Sequence, residues 1–284
     1  MKKLALTDFA KYRYPSALEL SPDSRYLTFA LKDVDREGDG YRWNLWLYDL
    51  ERRESRQITQ GDDQRKAVWE DNTHILYKTT EPDEALRARG FEEEWTVYHR
   101  LNVCTGEDRE AFRLPMSVSG LWKMDEGRYV FTGETHLDRP NLLELTGEAL
   151  EKELVRRQQT RGYKVLTELP LCENGVGMFN QTRNTLFLYL EAAGEYRRIT
   201  PEDYDVNHVN VRPGQVLFTA FPFRDVKPVT EGMYRWDAER NETETLITPD
   251  KYSIDYVGHL GRKALCLGPV SYTHLRAHET LSDL

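Results

Sequence analysis

Along most of the chain, apolar residues alternate with polar ones in short runs, and turn-forming residues separate the runs. Such a pattern predicts β-strands with one face buried, joined as hairpins. One phrase makes it explicit because it occurs twice: Leu45–Thr59, LWLYDLERRESRQIT, and Leu186–Thr200, LFLYLEAAGEYRRIT. The copies align without a gap at an offset of 141 residues and share seven identities, among them Leu45/Leu186, Tyr48/Tyr189, Arg56/Arg197 and Thr59/Thr200. Each reads as an apolar-aromatic strand, a polar turn, and a strand ending in an apolar residue and a threonine. A hairpin that recurs marks a repeat protein.

The stretch before the first copy, Ser16–Asp33, supplies a second hairpin. Its apolar positions are Leu18, Leu20, Tyr26, Leu27 and Phe29, around a tight turn at Ser21-Pro22-Asp23-Ser24. Pro22 has its φ already fixed for a turn, and Asp23 can bond the backbone ahead of it. Four strands in about 40 residues are the size of one propeller blade. Thr7–Tyr14 leads in as a short helix or extended segment, with Phe9 as its expected anchor. The pattern then repeats as Lys66–Thr80 with Thr96–Phe112, as Ser119–Glu134 with Leu186–Thr200, and as Val206–Phe221 with Gly232–Thr248. Tyr252–Gly268 begins a fifth unit.

Equivalent positions step by 53, 88 and 47 residues. The long step assigns extra chain to the third unit, residues 146–183. It opens with a helix-like Thr146–Gly162, in which Thr146 is the expected N-cap and Leu150 and Leu154 share a face. A smaller helical excursion is expected over Asp83–Glu94. The predicted fold is therefore all-β. It is an incomplete β-propeller of about four and a half blades of four-stranded antiparallel sheets over residues 1–268, with a short helical insertion in blade three.

Composition narrows the partners. The balance of 39 Lys and Arg against 48 Asp and Glu gives a net charge of −9, with no basic stripe, so nucleic acid and membrane are not expected partners. Cys104, Cys172 and Cys266 are odd in number and widely spaced, which fits neither a disulfide framework nor a C-x-x-C metal site and suggests a reducing compartment. The opening MKKLALTDF has too short an apolar run for a signal peptide, and no later run reaches the roughly 18 apolar residues of a membrane helix. The expected location is the cytoplasm.

These residues carry a resemblance. SPDSRYLTFALKD followed by NLWLYDLERRESRQIT resembles the opening blades of prolyl oligopeptidase-family serine peptidases. YKVLTELP, NGVGMFN and LFLYL are similar to the acylaminoacyl-peptidase-like branch. TolB-like propellers share the hairpin pattern, and it is the inserted stretch that favours the peptidase branch. The resemblance covers Leu4 to about Gly268. It implies an N-terminal propeller that gates and orients short peptides for a C-terminal α/β-hydrolase domain carrying a Ser-Asp-His triad. That domain is not in this sequence, so the partners implied are short peptides and the missing hydrolase domain. A non-catalytic TolB-like module that binds a protein or peptide is the alternative.

Candidate chemistry within the chain is sparse, and no catalytic residue, metal ligand or cofactor is expected. There is no G-x-S-x-G; Ser117-Val118-Ser119-Gly120 lacks the first glycine and precedes a strand rather than a helix. His274 and His278 stand at i, i+4, a spacing that can share a metal on a helix, with Glu279 after them. However, PVSYTHLRAHET resembles translated sequencing-adaptor sequence, so residues 269–284 are read as an artefactual tail. Two acidic runs, Asp62-Asp63 and Glu92-Glu93-Glu94 before Trp95, invite comparison with the propeller glutamates that bind a substrate's free N-terminus in the dipeptidyl-peptidase branch. No motif matches there residue by residue, and the second run reads as a solvated helix end. Gly175 and Gly177 lack the spacing of a phosphate loop. The substrate-contacting residues stay unassigned.

Overall fold

The computed structural model describes residues 5, 8–35, 40–163, 165–170, 172–173, 177–178, 180–249, 253–261, 263–271 and 274–278. The chain divides into two compact units, Met1–Leu114 and Pro115–Leu284.

The first unit opens with a single 3-10 turn, Asp8–Lys11, and holds two four-stranded antiparallel sheets. Blade one is β1 (Tyr14–Leu20), β2 (Tyr26–Asp35), β3 (Gly40–Asp49) and β4 (Glu54–Gln57), paired in that order. Blade two is β5 (Ala67–Trp69), β6 (His74–Pro82), β7 (Glu94–Asn102) and β8 (Asp108–Leu114), with the one-turn helix α1 (Glu84–Arg87) between β6 and β7. The two sheets stack through alternate residues, as the pleat requires. Ala30, Leu45 and Leu47 of blade one share a core with Ala67, Trp69, Ile75, Tyr77, Leu101 and Val103 of blade two.

The second unit repeats the plan. Blade three is β9 (Val118–Asp125), β10 (Arg128–His136), β13 (Thr182–Leu190) and β14 (Glu195–Arg198). Between β10 and β13 lies the insertion, with a 3-10 turn at Leu142–Glu144, α2 (Gly147–Gln159), and the small ladder of β11 (Cys172–Glu173) and β12 (Gly177–Met178). Blade four is β15 (Tyr204–Arg212), β16 (Gln215–Pro222), β17 (Gly232–Asp237) and β18 (Glu242–Ile247). A three-stranded sheet completes the order: β19 (Tyr256–Leu260), β20 (Lys263–Ser271) and β21 (His274–His278). Val130, Leu186, Leu188, Val216, Phe218, Tyr234 and Trp236 form the core between blades three and four. Leu217, Met233, Ile254, Val257, Ala264 and Cys266 form the next one. The all-β, four-stranded blade architecture with a helical insertion in blade three is the one the periodicity predicts. The backbone ladder also runs past Gly268, into the residues read as an adaptor-like tail.

The two copies of the repeated phrase fold alike down to single atoms. Leu45 and Leu186 are both fully buried. Leu45 N donates to Thr59 Oγ1 at 2.8 Å, and Leu186 N to Thr200 Oγ1 at 3.3 Å. In return Ile58 N and Ile199 N each donate to the carbonyl of the same leucine, at 2.8 Å. The apolar–Thr ending therefore closes each hairpin with one main-chain and one side-chain bond.

Four local expectations are corrected. Leu18 and Leu20 are 59% and 54% exposed. They lie on β1, an edge strand in which a bulge at Ala17 (φ 49°) shifts the register between Ser16 and Glu19. Phe9 is 57% exposed and is not a buried anchor. The excursion after Asp83 is a single helical turn, so Glu92–Glu94 is not a helix end; Glu94 already belongs to β7. The insertion helix starts where expected, but the Thr146 hydroxyl makes no capping bond. The helix is instead fixed through Leu154, 2% exposed, and the buried Glu153. Glu153 receives Arg156 at 2.7 Å and Arg157 at 2.9 Å, while Arg157 also donates to Pro140 O at 2.6 Å.

Candidate functional site

The residues singled out in the sequence are not brought together. Ser119 lies within β9, and its hydroxyl contacts Thr132 Oγ1 at 2.7 Å and Asn184 Oδ1 at 2.9 Å. It is a strand residue in a ladder of polar contacts, without the sharp strand-to-helix turn that exposes a nucleophile. Asp62 is tied to Asn44, which donates to its Oδ1 at 2.9 Å, and Asp63 pairs with Arg65 at 2.7 Å. The Asp62 contact fastens the connector after β4 to β3. Near the second acidic run, Asp83 caps α1 by accepting Leu86 N at 3.0 Å and also accepts Trp95 Nε1 at 3.1 Å.

His274 and His278 lie on a strand, where four residues span about 13 Å of backbone instead of one helical turn. The helix-face geometry for a shared metal is absent there. Glu279 and Gly175 lie outside the described residues, and Gly177 begins β12. Among the described residues, no three His, Cys, Asp or Glu side chains are grouped to hold a metal ion. All three cysteines are free, Cys104 and Cys172 exposed and Cys266 buried. No helix among the described residues is long and apolar enough to cross a membrane.

Two features escaped the sequence reading. The first is a clasp holding the insertion to blades three and four. Arg183 and Glu168 have fully buried side chains and form a bidentate pair, Nη2 to Oε1 at 2.5 Å and Nη1 to Oε2 at 3.1 Å. The guanidinium also donates to Phe223 O at 3.0 Å and Thr182 O at 2.9 Å, and it lies 3.7 Å from the Phe223 ring centroid. Glu168 accepts Gln181 N at 2.7 Å as well. Alongside, Leu169 N donates to Asp225 O and Lys227 N to Leu169 O, both at 2.8 Å. Arg183 stands among polar residues, QTRNT, and Glu168 follows a threonine, so nothing local in the sequence marks either side chain for burial. Beside the clasp, burial and the Arg139 cation push the His136 pKa down to about 4. The ring is therefore neutral at pH 7, and its 3.4 Å contact with Glu134 is not an ion pair. In this unit Tyr163, Val165, Leu169, Val226 and Val229 are exposed, and Leu169 and Val226 are joined by a β-bridge.

The second is a cleft of about 380 Å³ at the hairpin ends of blades one and two. Leu47 and Val103 line it with apolar surface, and Asp49, Arg52, Glu54 and Arg56 carry its charges. The Tyr26 hydroxyl stands 3.9 Å from Cys104 Sγ at its edge, and the Tyr26 ring stacks on Trp69 at 6.5 Å.

No family model matches the sequence, and no curated protein matches it. Solved structures do match its fold. The acylaminoacyl peptidase of Pyrococcus horikoshii is similar with a TM-score of 0.63 at 13% identity, over 95% of this chain and 38% of that one. A puromycin hydrolase gives 0.54 at 10% identity, over 93% and 35%. An oligogalacturonate lyase gives 0.53 at 14% identity, over 90% and 58%. The chain thus spans less than two thirds of the length of each. At these identities the likeness is one of fold: the chain has the propeller-like fold found in peptidases of the prolyl oligopeptidase type. A lyase shares that fold, so the fold by itself does not set the chemistry.

Proposed function

We propose that this chain is the propeller part of a serine exopeptidase of the acylaminoacyl-peptidase type. In that role it gates and orients short peptides for a hydrolase domain outside this sequence, and it is not itself catalytic. The observation that carries the reading is the similarity in fold to an acylaminoacyl peptidase over 95% of this chain but only 38% of that one. The residues YKVLTELP and LFLYL, on either side of the insertion's ladder, support the same branch. On this reading the exposed Leu169 and Val226, joined by a β-bridge, face the hydrolase domain, because exposed apolar surface suits an interface. Three free thiols suit the proposed cytoplasmic location.

The competing reading is a non-catalytic propeller that binds a protein or peptide partner. Sequencing the gene in its source DNA beyond the codon for Gly268 separates the two. Further blades and then a hydrolase domain with G-x-S-x-G are expected. A stop codon directly after ring closure overturns the peptidase reading and leaves the binding module.

A further inference from the structure

The repeat allows the cleft of the first unit to be compared with its counterpart in the second. Tyr26 pairs with Asp49 across β2 and β3, and Arg128 pairs with Leu190 across β10 and β13, so these four positions correspond. Asn102 and Asp237 correspond in turn. Each caps its hairpin by accepting two backbone N–H groups, those of Cys104 and Thr105 in one case and of Glu239 and Arg240 in the other. Cys104 therefore stands where Glu239 stands.

The counterpart is filled. Leu190 packs against the core cluster that contains Met124 and Ala238. Arg128 is bidentate on Asp125, with the Glu239 carboxylate adding to its field. In the first unit Asp49 replaces the leucine and turns to its own backbone, accepting Glu51 N and Arg52 N at 3.0 Å. Arg52 replaces Ala193, and the space is left open.

The charges around that space are incompletely used. Arg56 donates one nitrogen to Val103 O and has no carboxylate partner among the described residues. Arg52 reaches Asp49 only at 3.9 Å, and that carboxylate is already committed to the turn. Glu54 is exposed and has no ion-pair partner among the described residues. Two guanidiniums suit a carboxylate, and the neighbouring glutamate suits an ammonium. A phosphate would meet both Asp49 and Glu54 and is disfavoured. A volume of about 380 Å³ lies at the small end of ligand sites, enough for a molecule of a few heavy-atom groups.

We propose that this cleft binds a small zwitterion, a free amino acid or dipeptide, with its carboxylate on Arg56 and Arg52 and its ammonium on Glu54. The site lies on the outer hairpins and stands independently of the peptidase reading.

Cys104 in the cleft lining serves as the reporter, Cys172 as an exposed control and Cys266 as a control for unfolding. The unaggregated fraction of the 284-residue chain, isolated by gel filtration, is treated with N-ethylmaleimide, and each cysteine's labelling rate is read by peptide mass spectrometry while glycylglycine is titrated to about 20 mM. Saturable slowing of Cys104 by roughly fivefold is expected, with Cys172 unchanged and half-effect near about 1 mM. N-acetylglycinamide and inorganic phosphate should not protect, and Glu54→Gln should weaken protection by roughly tenfold. No protection, equal slowing at Cys172, protection by phosphate, or unaltered protection in Glu54→Gln each overturns the proposal.

Discussion

Removing one end of the clasp between Glu168 and Arg183 should cost far more than removing both. Glu168→Leu takes away two contacts to the guanidinium and the acceptor for Gln181 N. A fully buried cation then remains with only Thr182 O and Phe223 O as partners. An uncompensated buried charge of this kind destabilises by about 3–5 kcal/mol. For a urea slope near 2 kcal/mol/M, that is a fall of roughly 2 M in the unfolding midpoint. Trp236, 1% exposed in the core between blades three and four, provides the fluorescence signal. Glu168→Leu combined with Arg183→Met replaces the pair by apolar groups of similar volume and should return to within about 2 kcal/mol of the parent. The cycle then shows a coupling of at least about 2 kcal/mol. Limited proteolysis should open the segment between Tyr163 and Gln181 in the single variant and spare it in the double. A single variant shifted by less than roughly 0.5 M, or a cycle that is additive, refutes the reasoning.

Acid should weaken the fold before most carboxylates titrate. Burial holds both His136 and His259 at about 4 in the folded chain, below the ordinary 6.5. Their contribution is whole above pH 6.5 and is lost as pH falls towards 4, because the unfolded chain takes up protons that the folded rings refuse. A urea midpoint that drops between pH 7.5 and about 5, less so in His136→Gln, is the expected record; an equal drop in that variant counts against the assignment. Asp71, exposed and held at about 2, against partial desolvation, by the backbone N–H groups of Thr73 and His74, loses its contribution only below 3.8 and does not confuse that window. Thr59→Val and Thr200→Val each strand a buried leucine N–H and should cost about 1–3 kcal/mol apiece; if either is neutral, the hydroxyl bond is not what closes the hairpin. The purified chain should aggregate, given its exposed apolar side chains, and should leave acyl-aminoacyl and aminoacyl chromogenic substrates uncut. Titratable hydrolysis by a monomer would falsify the assignment of catalysis to another domain.

The blade plan was legible because its signals are local. Period-two alternation, turn residues such as Glu126-Gly127 and Pro213-Gly214, and a phrase repeated without a gap fix which residues pair and which share a face. The same signals do not say whether a face is covered. Leu18 and Leu20 alternate like core residues yet lie exposed on an edge strand, and Phe9 stays more than half exposed. The clasp was illegible for the opposite reason. Arg183 meets Glu168 and Phe223 only after the insertion has folded back on blade four, and that closure leaves no period in the sequence. The cleft was half legible, since Asp49 against Leu190 and Arg52 against Ala193 are visible in the aligned phrases, but only the structure shows that the lost leucine leaves a space.

The threonine that ends each phrase also bears on how such a chain can lengthen. Thr59 and Thr200 supply a side-chain oxygen where the next ladder bond would take a main-chain carbonyl, so the outer strand can stop after four residues without leaving the leucine amide bare. Past that threonine the backbone is released from register. The connectors 58–66 and 199–203 differ in length, yet each leaves its blade through the same pair of bonds. Chain added beyond the threonine then costs little more than the entropy of closing a longer loop, which grows only logarithmically with length. A repeat fastened this way tolerates insertions and deletions between blades, so the spacing of its units can drift while the units themselves stay fixed.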